Sequence, residues 1–416
     1  AAMNGAGVYG GDLKNCVIIT NTSSFAGGGA FRANLYSCSV ISNYVTGTGG
    51  GGGAYQCLMS NCVVAGNIST DFSTGGLAGG TFGGTNYSCL ISNNIAKTSG
   101  GGTHQSTNYN CAIVNNRASG SGGGSSGGTL YSCLLSSNTC NLFGGGSVQG
   151  VLYNCILCDN IATNQGGGNY GGLLYNCTVV GNVAVSGGGG VYSSTLYNGI
   201  VYSNSVTSGS GSNWAGGTFM SSCCTQPLFG GCFTNAPKFI NYATRDLHLA
   251  ADSPCINSGN NTYVTNAGVW VDFENHPRLV STFVDVGAYE VQSPASILPY
   301  TWLWKYGLKT DGSDDFADTD GDGMNNWQEW KASSSPTDNS SVLRIVSVSW
   351  TAQTGASITW QSVFGVRYFV ERAVDLGGVP AFVSLQEDIL GLNGTTTFSD
   401  PSATNAAACF YRVGIR

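Results

Sequence analysis

Leu174-Tyr-Asn-Cys-Thr-Val-Val-Gly-Asn182 decides the fold, because its pattern returns along the first half of the chain at a nearly constant interval. Its cysteine belongs to a column: Cys16, Cys38, Cys62, Cys89, Cys111, Cys133, Cys155 and Cys177, spaced by 22, 24, 27, 22, 22, 22 and 22 residues, with Gly199 in the next place. Two residues after each comes an aliphatic, among them Ile18, Val40, Ile91, Val179 and Val201. Five residues after each comes an asparagine: Asn21, Asn43, Asn67, Asn94, Asn116, Asn138, Asn160, Asn182 and Asn204. A tyrosine stands two places before in seven units (Tyr36, Tyr87, Tyr109, Tyr131, Tyr153, Tyr175 and Tyr197). Glycine runs open about eleven residues after, as at Gly100, Gly122, Gly144 and Gly166. Self-similarity at one period over nine units is the mark of a stacked repeat.

The cysteine and the aliphatic, two residues apart, share one face of a strand. Twenty-two residues are too few for a helix pair, and glycine runs destabilise helices. The unit therefore reads as one coil of a parallel β-helix, which buries its inward side chains only when neighbouring coils stack on it. At ~4.8 Å per strand, nine coils give a rod on the order of 40 Å long. The longer spacings before Cys62 and Cys89 place insertions in turns. Asparagine suits the turns, since it tolerates left-handed backbone and its amide can bond its equivalent one coil away. The cysteines are expected to be buried thiols, because a column of one per coil does not converge as zinc ligands must. Neighbouring coils bring them within disulfide range, but in-register side chains point the same way.

Composition excludes other classes. Glycine makes up 64 of 416 residues, yet proline totals 9, and the glycines do not recur every third residue as in collagen. With 42% hydrophobic and 11% aromatic residues the chain is not disordered. A net charge of −7 and a pI near 4.8 leave no electrostatic footprint for nucleic acid. The sequence has no apolar run of the ~18 residues a membrane span needs. Only seven of its charged residues fall in 1–222: Asp12, Lys14, Arg32, Asp71, Lys97, Arg117 and Asp159. This shift sets a boundary near 222, with the β-helix over 1–222 and a closing segment over 223–292.

The closing segment holds Cys223, Cys224, Cys232 and Cys255, the chain's best disulfide candidates; four cysteines allow three pairings. Residues 293–337 form a helical linker around Asp318-Thr-Asp-Gly-Asp-Gly-Met-Asn-Asn-Trp-Gln-Glu329, which matches D-x-D-x-D-G-x5-E at every defined place. Asp318, Asp320 and Asp322 would supply carboxylate oxygens, Met324 its main-chain carbonyl and Glu329 both oxygens to Ca2+, with Gly323 making the turn and helices over 297–307 and 326–331 flanking it. This calcium would be structural, fixing the angle between the β-helix and the C-terminal domain. The competing reading is a solvated acidic linker. Six short strands over 343–350, 357–360, 367–372, 382–385, 395–398 and 408–415 make 338–416 a small β-sandwich.

The repeat, with Cys224-Thr-Gln-Pro-Leu, Ser253-Pro-Cys-Ile-Asn-Ser-Gly and Val284-Asp-Val-Gly-Ala-Tyr-Glu290, resembles the secreted right-handed parallel β-helix repeat proteins of Verrucomicrobia-type bacteria. The acidic loop is similar to the EF-hand-like loops of dockerins, and the last domain to fibronectin type III and immunoglobulin-like domains. The resemblance implies fold and secretion and says little of activity. The function expected is a non-catalytic extracellular or cell-surface structural or adhesive protein, associating end to end because the first coil is already in repeat register at Gly7–Cys16. The alternative is a secreted polysaccharide-binding or pectate-lyase-like protein. Cleavage needs carboxylates converging ~5–9.5 Å apart, whereas Asp12, Asp71 and Asp159 sit at different phases of distant coils. His104, His248 and His276 are read as isolated, and Asp272, Glu274, Asp285 and Glu290 as turn and capping residues. Sequons such as those at Asn67, Asn86, Asn176 and Asn393 add glycosylation as an option.

Overall fold

The computed structural model describes residues 2–70, 77–377, 381–404 and 409–415; Asp71 and the start of the last expected strand at Ala408 lie outside them. The chain divides into two compact units, one of Ala1–Pro294 with Pro299–Thr301, the other of Ala295–Leu298 with Trp302–Arg416.

The first unit is a parallel β-solenoid of ten coils. Each coil contributes one short strand to each of four ten-stranded parallel sheets. The 22-residue spacing becomes direct register: Leu130 pairs with Leu152, Leu152 with Leu174 and Leu174 with Leu196. The coils run one further than the nine units counted in the sequence, since Phe219–Ser221 and Cys224–Thr225 complete a tenth, with Cys223 as its corner residue.

Each coil turns sharply before the cysteine and again before the asparagine. The residue preceding the cysteine is left-handed, as at Ser37 (φ 51°), Asn110 (φ 52°) and Asn154 (φ 51°). At the second corner the left-handed residue is the one before the column asparagine, Asn115 (φ 55°) before Asn116 for instance, and not the asparagine itself. The column asparagine is instead a buried bonding post. Asn138 Oδ1 accepts both the main-chain N–H (2.9 Å) and the side-chain amide (3.1 Å) of Asn116, while its own Nδ2 donates to Asn160 Oδ1 (3.0 Å) and Ile113 O (2.8 Å). The same ladder runs from Asn21 to Asn213. The corner thiols do similar work: Cys111 Sγ accepts the Cys89 N–H (3.4 Å) and donates to Tyr109 O (3.3 Å). These cysteines are free thiols and line one hydrophobic core with Leu130, Leu135, Leu152, Leu157 and their equivalents. The glycine runs are forced by close approach: a Cβ on Gly123 would lie 2.5 Å from Gly145 O.

Residues after the tenth coil take two paths. Phe229 and Cys232 pack against the end of the solenoid core, and a parallel bridge joins Cys224 to Phe233. The rest doubles back along the flank of the coils. Tyr263 of helix α1 (Asn261–Ala267) packs against Tyr197 with ring centroids 4.3 Å apart, Thr178 Oγ1 accepts the Ala288 N–H (3.0 Å), and Ser132 Oγ donates to Asp272 O (3.4 Å). The closing segment is thus a flank cover over several coils as much as an end cap.

The second unit carries helix α3 (Asn326–Ala332) and six antiparallel strands in two three-stranded sheets. One sheet joins Ile345–Thr351, Gly355–Ser362 and Gly394–Asp400; the other joins Val383–Leu390, Arg367–Ala373 and Phe410–Ile415. Trp360, Tyr368, Ile358 and Val370 form the core between them. Helix α2 (Tyr300–Lys305) is shorter than the 297–307 expected. No described helix is long and apolar enough to cross a membrane.

The asparagine ladder makes a quantitative expectation. Asn138→Ala strands the Asn116 N–H, the Asn116 amide and Ile113 O, and is expected to cost about 3 kcal/mol or more in chemical unfolding. The exposed neighbour Arg117→Ala should stay within ~0.5 kcal/mol.

Candidate metal centre

The acidic loop closes on itself before it meets any ligand. Asp318 accepts the Gly321 N–H on Oδ1 (2.8 Å) and the Gly323 N–H on Oδ2 (3.0 Å). Asp320 Oδ1 accepts from Asp322 N (3.3 Å), and Asp322 Oδ1 from Met324 N (2.7 Å). Gly321 (φ 78°) and Gly323 (φ 97°) supply the left-handed turns this winding requires. One carboxylate oxygen from each of Asp318, Asp320 and Asp322 lies within 4.8 Å of the others. Asn325 caps α3 in a capping box with Gln328, which sets Glu329 in the first turn facing back to the loop. Met324 is anchored by its sulfur, which accepts the Leu343 N–H (3.3 Å), a contact that does not use its main-chain carbonyl.

The orphaned oxygens are the telling feature. Glu329 is fully buried, and neither of its carboxylate oxygens has a partner. Among the described residues, the other buried carboxylate oxygens in that state are Asp320 Oδ2 and Asp322 Oδ2. Burial, then the Asp320, Asp322 and Asp318 charges, push the Glu329 carboxyl up to about 7. Unpartnered buried acceptors cost free energy, and a hard cation with six to eight oxygen ligands is the species that would satisfy the three aspartates together, with Glu329 outside their 4.8 Å group but near enough to feel their charges. The residues present fit Ca2+.

The carboxylates of the closing segment are of the opposite kind. Asp272 accepts from the N–H groups of Glu274 (2.9 Å), His276 (2.9 Å) and Glu290 (3.1 Å). Asp285 accepts from Asn257 N (2.7 Å) and Val291 N (2.7 Å), and Glu290 Oε2 from Asp285 N (3.0 Å) and Arg278 Nη1 (3.4 Å). Arg278 is fully buried and also donates to Tyr289 O (3.0 Å) and Gly287 O. Their chemistry is to stitch the segment together. His248 and His276 are not isolated as expected: His248 lies between Asp246 Oδ1 (2.6 Å) and Glu274 Oε2 (3.3 Å), and His276 Nδ1 is 3.7 Å from the same Glu274. His104 is a half-buried ring stacked on Phe82, with burial lowering its pKa to about 4.

On the solenoid, Asp12 accepts from Asn34 Nδ2 (2.7 Å) in the first coil, and Asp159 pairs with Arg245 (2.5 Å) in the seventh. Six coil steps separate the two carboxylates by roughly 30 Å. The tyrosine column faces outward as a continuous stack, with centroids 4.9 Å apart from Tyr87 to Tyr109 and 4.8 Å from Tyr109 to Tyr131. A second stack, Tyr9, Phe31, Tyr55, Phe82 and His104, stands on another sheet. Its members sit seven residues before the column cysteines, a phase that is present in the sequence but mixed in residue type and so easily overlooked. Stacked rings occupy each other's faces, so these columns offer a ligand mainly edges.

One cleft breaks this monotony. It holds about 390 Å3 between Tyr109 and Tyr131 of the stack and the Val269–Val271 stretch of the closing segment. The Trp270 indole at its lip is 56% exposed. Asn154 donates to Val271 O (2.5 Å), while its buried Oδ1 has no partner. Of the four sequons named above, Asn67, Asn86 and Asn176 are fully buried and so closed to glycosylation in the folded chain, whereas Asn393 is exposed.

Three carboxylates share one buried guanidinium, so full ionisation of the cluster is disfavoured. Burial raises Asp285 to about 7 and Glu290 to about 9, with the Asp285 charge adding to the second. Both folded values exceed the unfolded ones, so their contribution is complete below ~pH 4, falls from there as pH rises, and is fully lost once pH has passed 7 for Asp285 and 9 for Glu290. The thermal midpoint of the solenoid unit should therefore fall across that window, and Glu290→Gln should flatten the alkaline limb.

No family model matches the chain, and no curated protein matches it, so the functional reading rests on the chain's own residues.

Proposed function

We propose that the protein is a non-catalytic extracellular structural or adhesive element whose second unit is completed by Ca2+. The observation that carries this reading is the contrast between its acidic groups. The closing-segment carboxylates spend their oxygens on main-chain N–H groups and Arg278, whereas the orphaned oxygens cluster in the Asp318–Glu329 loop. A general acid and base need free, converging carboxylates, and the solenoid's Asp12 and Asp159 are several coils apart. Calcium would be held by Asp318, Asp320, Asp322 and Glu329, with the Met324 carbonyl as the main-chain ligand. Its contribution there is charge neutralisation and cross-linking of loop to helix. Loops of this kind in extracellular modules work at millimolar calcium, in keeping with a secreted or surface location.

A second reading, glycan binding by the same adhesive, is favoured by the cleft beside Trp270. Tyr109, Tyr131 and Trp270 give it aromatic walls, and Asn110, Asn154 and Asn275 give it amides. That lining carries no charged side chain, which suits neutral sugars over uronides.

Calcium added to chelator-treated protein should raise the unfolding midpoint of the second unit by several degrees, and Glu329→Gln should abolish the shift. An unchanged midpoint in the unaltered chain would refute the metal assignment. Incubation with pectin, polygalacturonate and neutral glucans should release no product above that of heat-inactivated protein. Binding, where present, should be to the neutral polymers and should drop at least tenfold in Trp270→Ala; cleavage of any of them would overturn the non-catalytic reading.

A further inference from the structure

Cys223, Cys224, Cys232 and Cys255, expected to staple the closing segment, are free thiols, so non-covalent contacts hold the segment on the coils. Two of its parts meet there. One is a hairpin in which Asp246–Leu249 pairs antiparallel with Phe239–Asn241. The other is the turn 272–276, and Leu247 of the hairpin and Phe273 of the turn share one cluster with Ile156, Cys158 and Val180 of the coils. Asp272 winds the turn: its Oδ1 accepts the Glu274 and His276 N–H groups (both 2.9 Å), and its own N–H donates to His276 O (2.8 Å). The turn thus keeps its own shape, and its grip on the hairpin is a separate matter of side chains.

That grip is a chain of acids and imidazoles. His248 reaches Asp246 Oδ1 with Nδ1 (2.6 Å) and Glu274 Oε2 with Nε2 (3.3 Å). His276 Nδ1 stands 3.7 Å from the same Glu274 oxygen and 3.9 Å from Asp272 Oδ2. The segment's permanent cations are engaged with other acids, Lys238 with Asp252, Arg245 with Asp159 and Arg278 with Glu290, so among the described residues the salt-bridge partners of Glu274 are the two histidines. A carboxylate only accepts, so the bond to Asp246 places a proton on His248 Nδ1. In the neutral ring the other nitrogen is then bare, and its lone pair faces the Glu274 carboxylate with no proton between them. In the imidazolium both nitrogens donate, and one ring joins the two carboxylates.

We propose that His248 and Glu274, with His276 on the far side of Glu274, form a proton-operated clasp that joins the hairpin to the turn in mildly acid solution and lets go as His248 loses its proton. Partial burial works against the charge on His248, but the Asp246 and Glu274 carboxylates outweigh it and hold the pKa above its ordinary value. A folded value above the unfolded one makes the clasp's contribution complete below the ordinary ~6.5, and it is lost as pH rises through the folded value. Its lower limit is the ~4 at which the carboxylates themselves take up protons. The other titrating groups packed here add no charge: Tyr289, stacked on the His248 ring with centroids 4.0 Å apart, and Cys158 of the coils are both kept neutral chiefly by burial. Deprotonation therefore leaves Asp246, Glu274 and Asp272 as three negative charges about the two rings. His248, Asp246, Glu274 and His276 are 40% to 54% exposed, so protons reach the clasp in the folded chain and salt screens it. The clasp goes beyond the structural role proposed above and depends on neither calcium nor a glycan.

The full chain has three histidines, so NMR titration of their ring protons tests the clasp directly, with His104 at about 4 as the low reference. His248 should titrate above ~6.5, and Glu274→Gln should lower that value by about half a pH unit or more. Hydrogen exchange in peptides covering the hairpin, expressed as protection against the intrinsic rate, adds the mechanical readout. In the unaltered chain protection should be greater at about pH 6 than at about pH 8. Glu274→Gln should make the two alike, because its amide can donate to the bare nitrogen of neutral His248. His248→Phe, which keeps a ring on Tyr289, should bring the acid value down to the alkaline one. A His248 that titrates at or below ~6.5, or a pH difference undiminished in Glu274→Gln, would overturn the proposal.

Discussion

The structure depends on one distance, the ~4.8 Å between hydrogen-bonded strands in successive coils. At that spacing a side chain in one coil touches its equivalents above and below, so each position along the coil must be filled by a residue that tolerates its own copy. Thiols, amides, stacked rings and glycines meet that condition. The ladder through Asn94, Asn116 and Asn138 uses each amide to satisfy its neighbour's main-chain and side-chain N–H, and glycine at Gly123 avoids a clash with Gly145 O. Charged groups do not meet it, because like charges one strand apart repel, which accounts for the seven charged residues in 1–222.

The same constraint pushes chemistry off the solenoid. A column cannot converge on a substrate, since its members point the same way at the same level of their coils. Groups that meet from different directions occur where the chain leaves the repeat: the Arg278 cluster, the cleft beside Trp270, and the Asp318–Glu329 loop. Within that set the loop is distinct, because its buried oxygens are left without partners where those of Asp272 and Asp285 are saturated.

The same physics decides how much was legible in the sequence. The cysteine and asparagine columns could be read because each coil must put the same residue at the same corner, and the acidic loop because its carboxylates are local in sequence. The tenth coil was missed because Gly199 interrupts the cysteine column and Cys223 comes 24 residues later. The left-handed corner falls on the residue before the column asparagine, a position shared among Thr20, Ser42, Gly66 and Asn93, so no single residue type marks it. The closing segment's return along the flank was not readable at all. It is set by contacts such as Asn198 with Asn260, 62 residues apart, for which nothing local gives a signal. Helix α1 does carry a local signal, Asn260 as its N-cap and Gly268 (φ 66°) as its left-handed stop.

The central claim is that the chain's orphaned carboxylates are cation ligands and its remaining acids are structural. A crystal structure of the full chain grown with calcium, with an anomalous difference map, tests it most directly. The account predicts one strong peak ~2.3–2.6 Å from oxygens of Asp318, Asp320, Asp322 and Glu329, with Asp272, Asp285 and Glu290 bound only to protein. A map with no peak there and the Glu329 side chain turned out to solvent would contradict it.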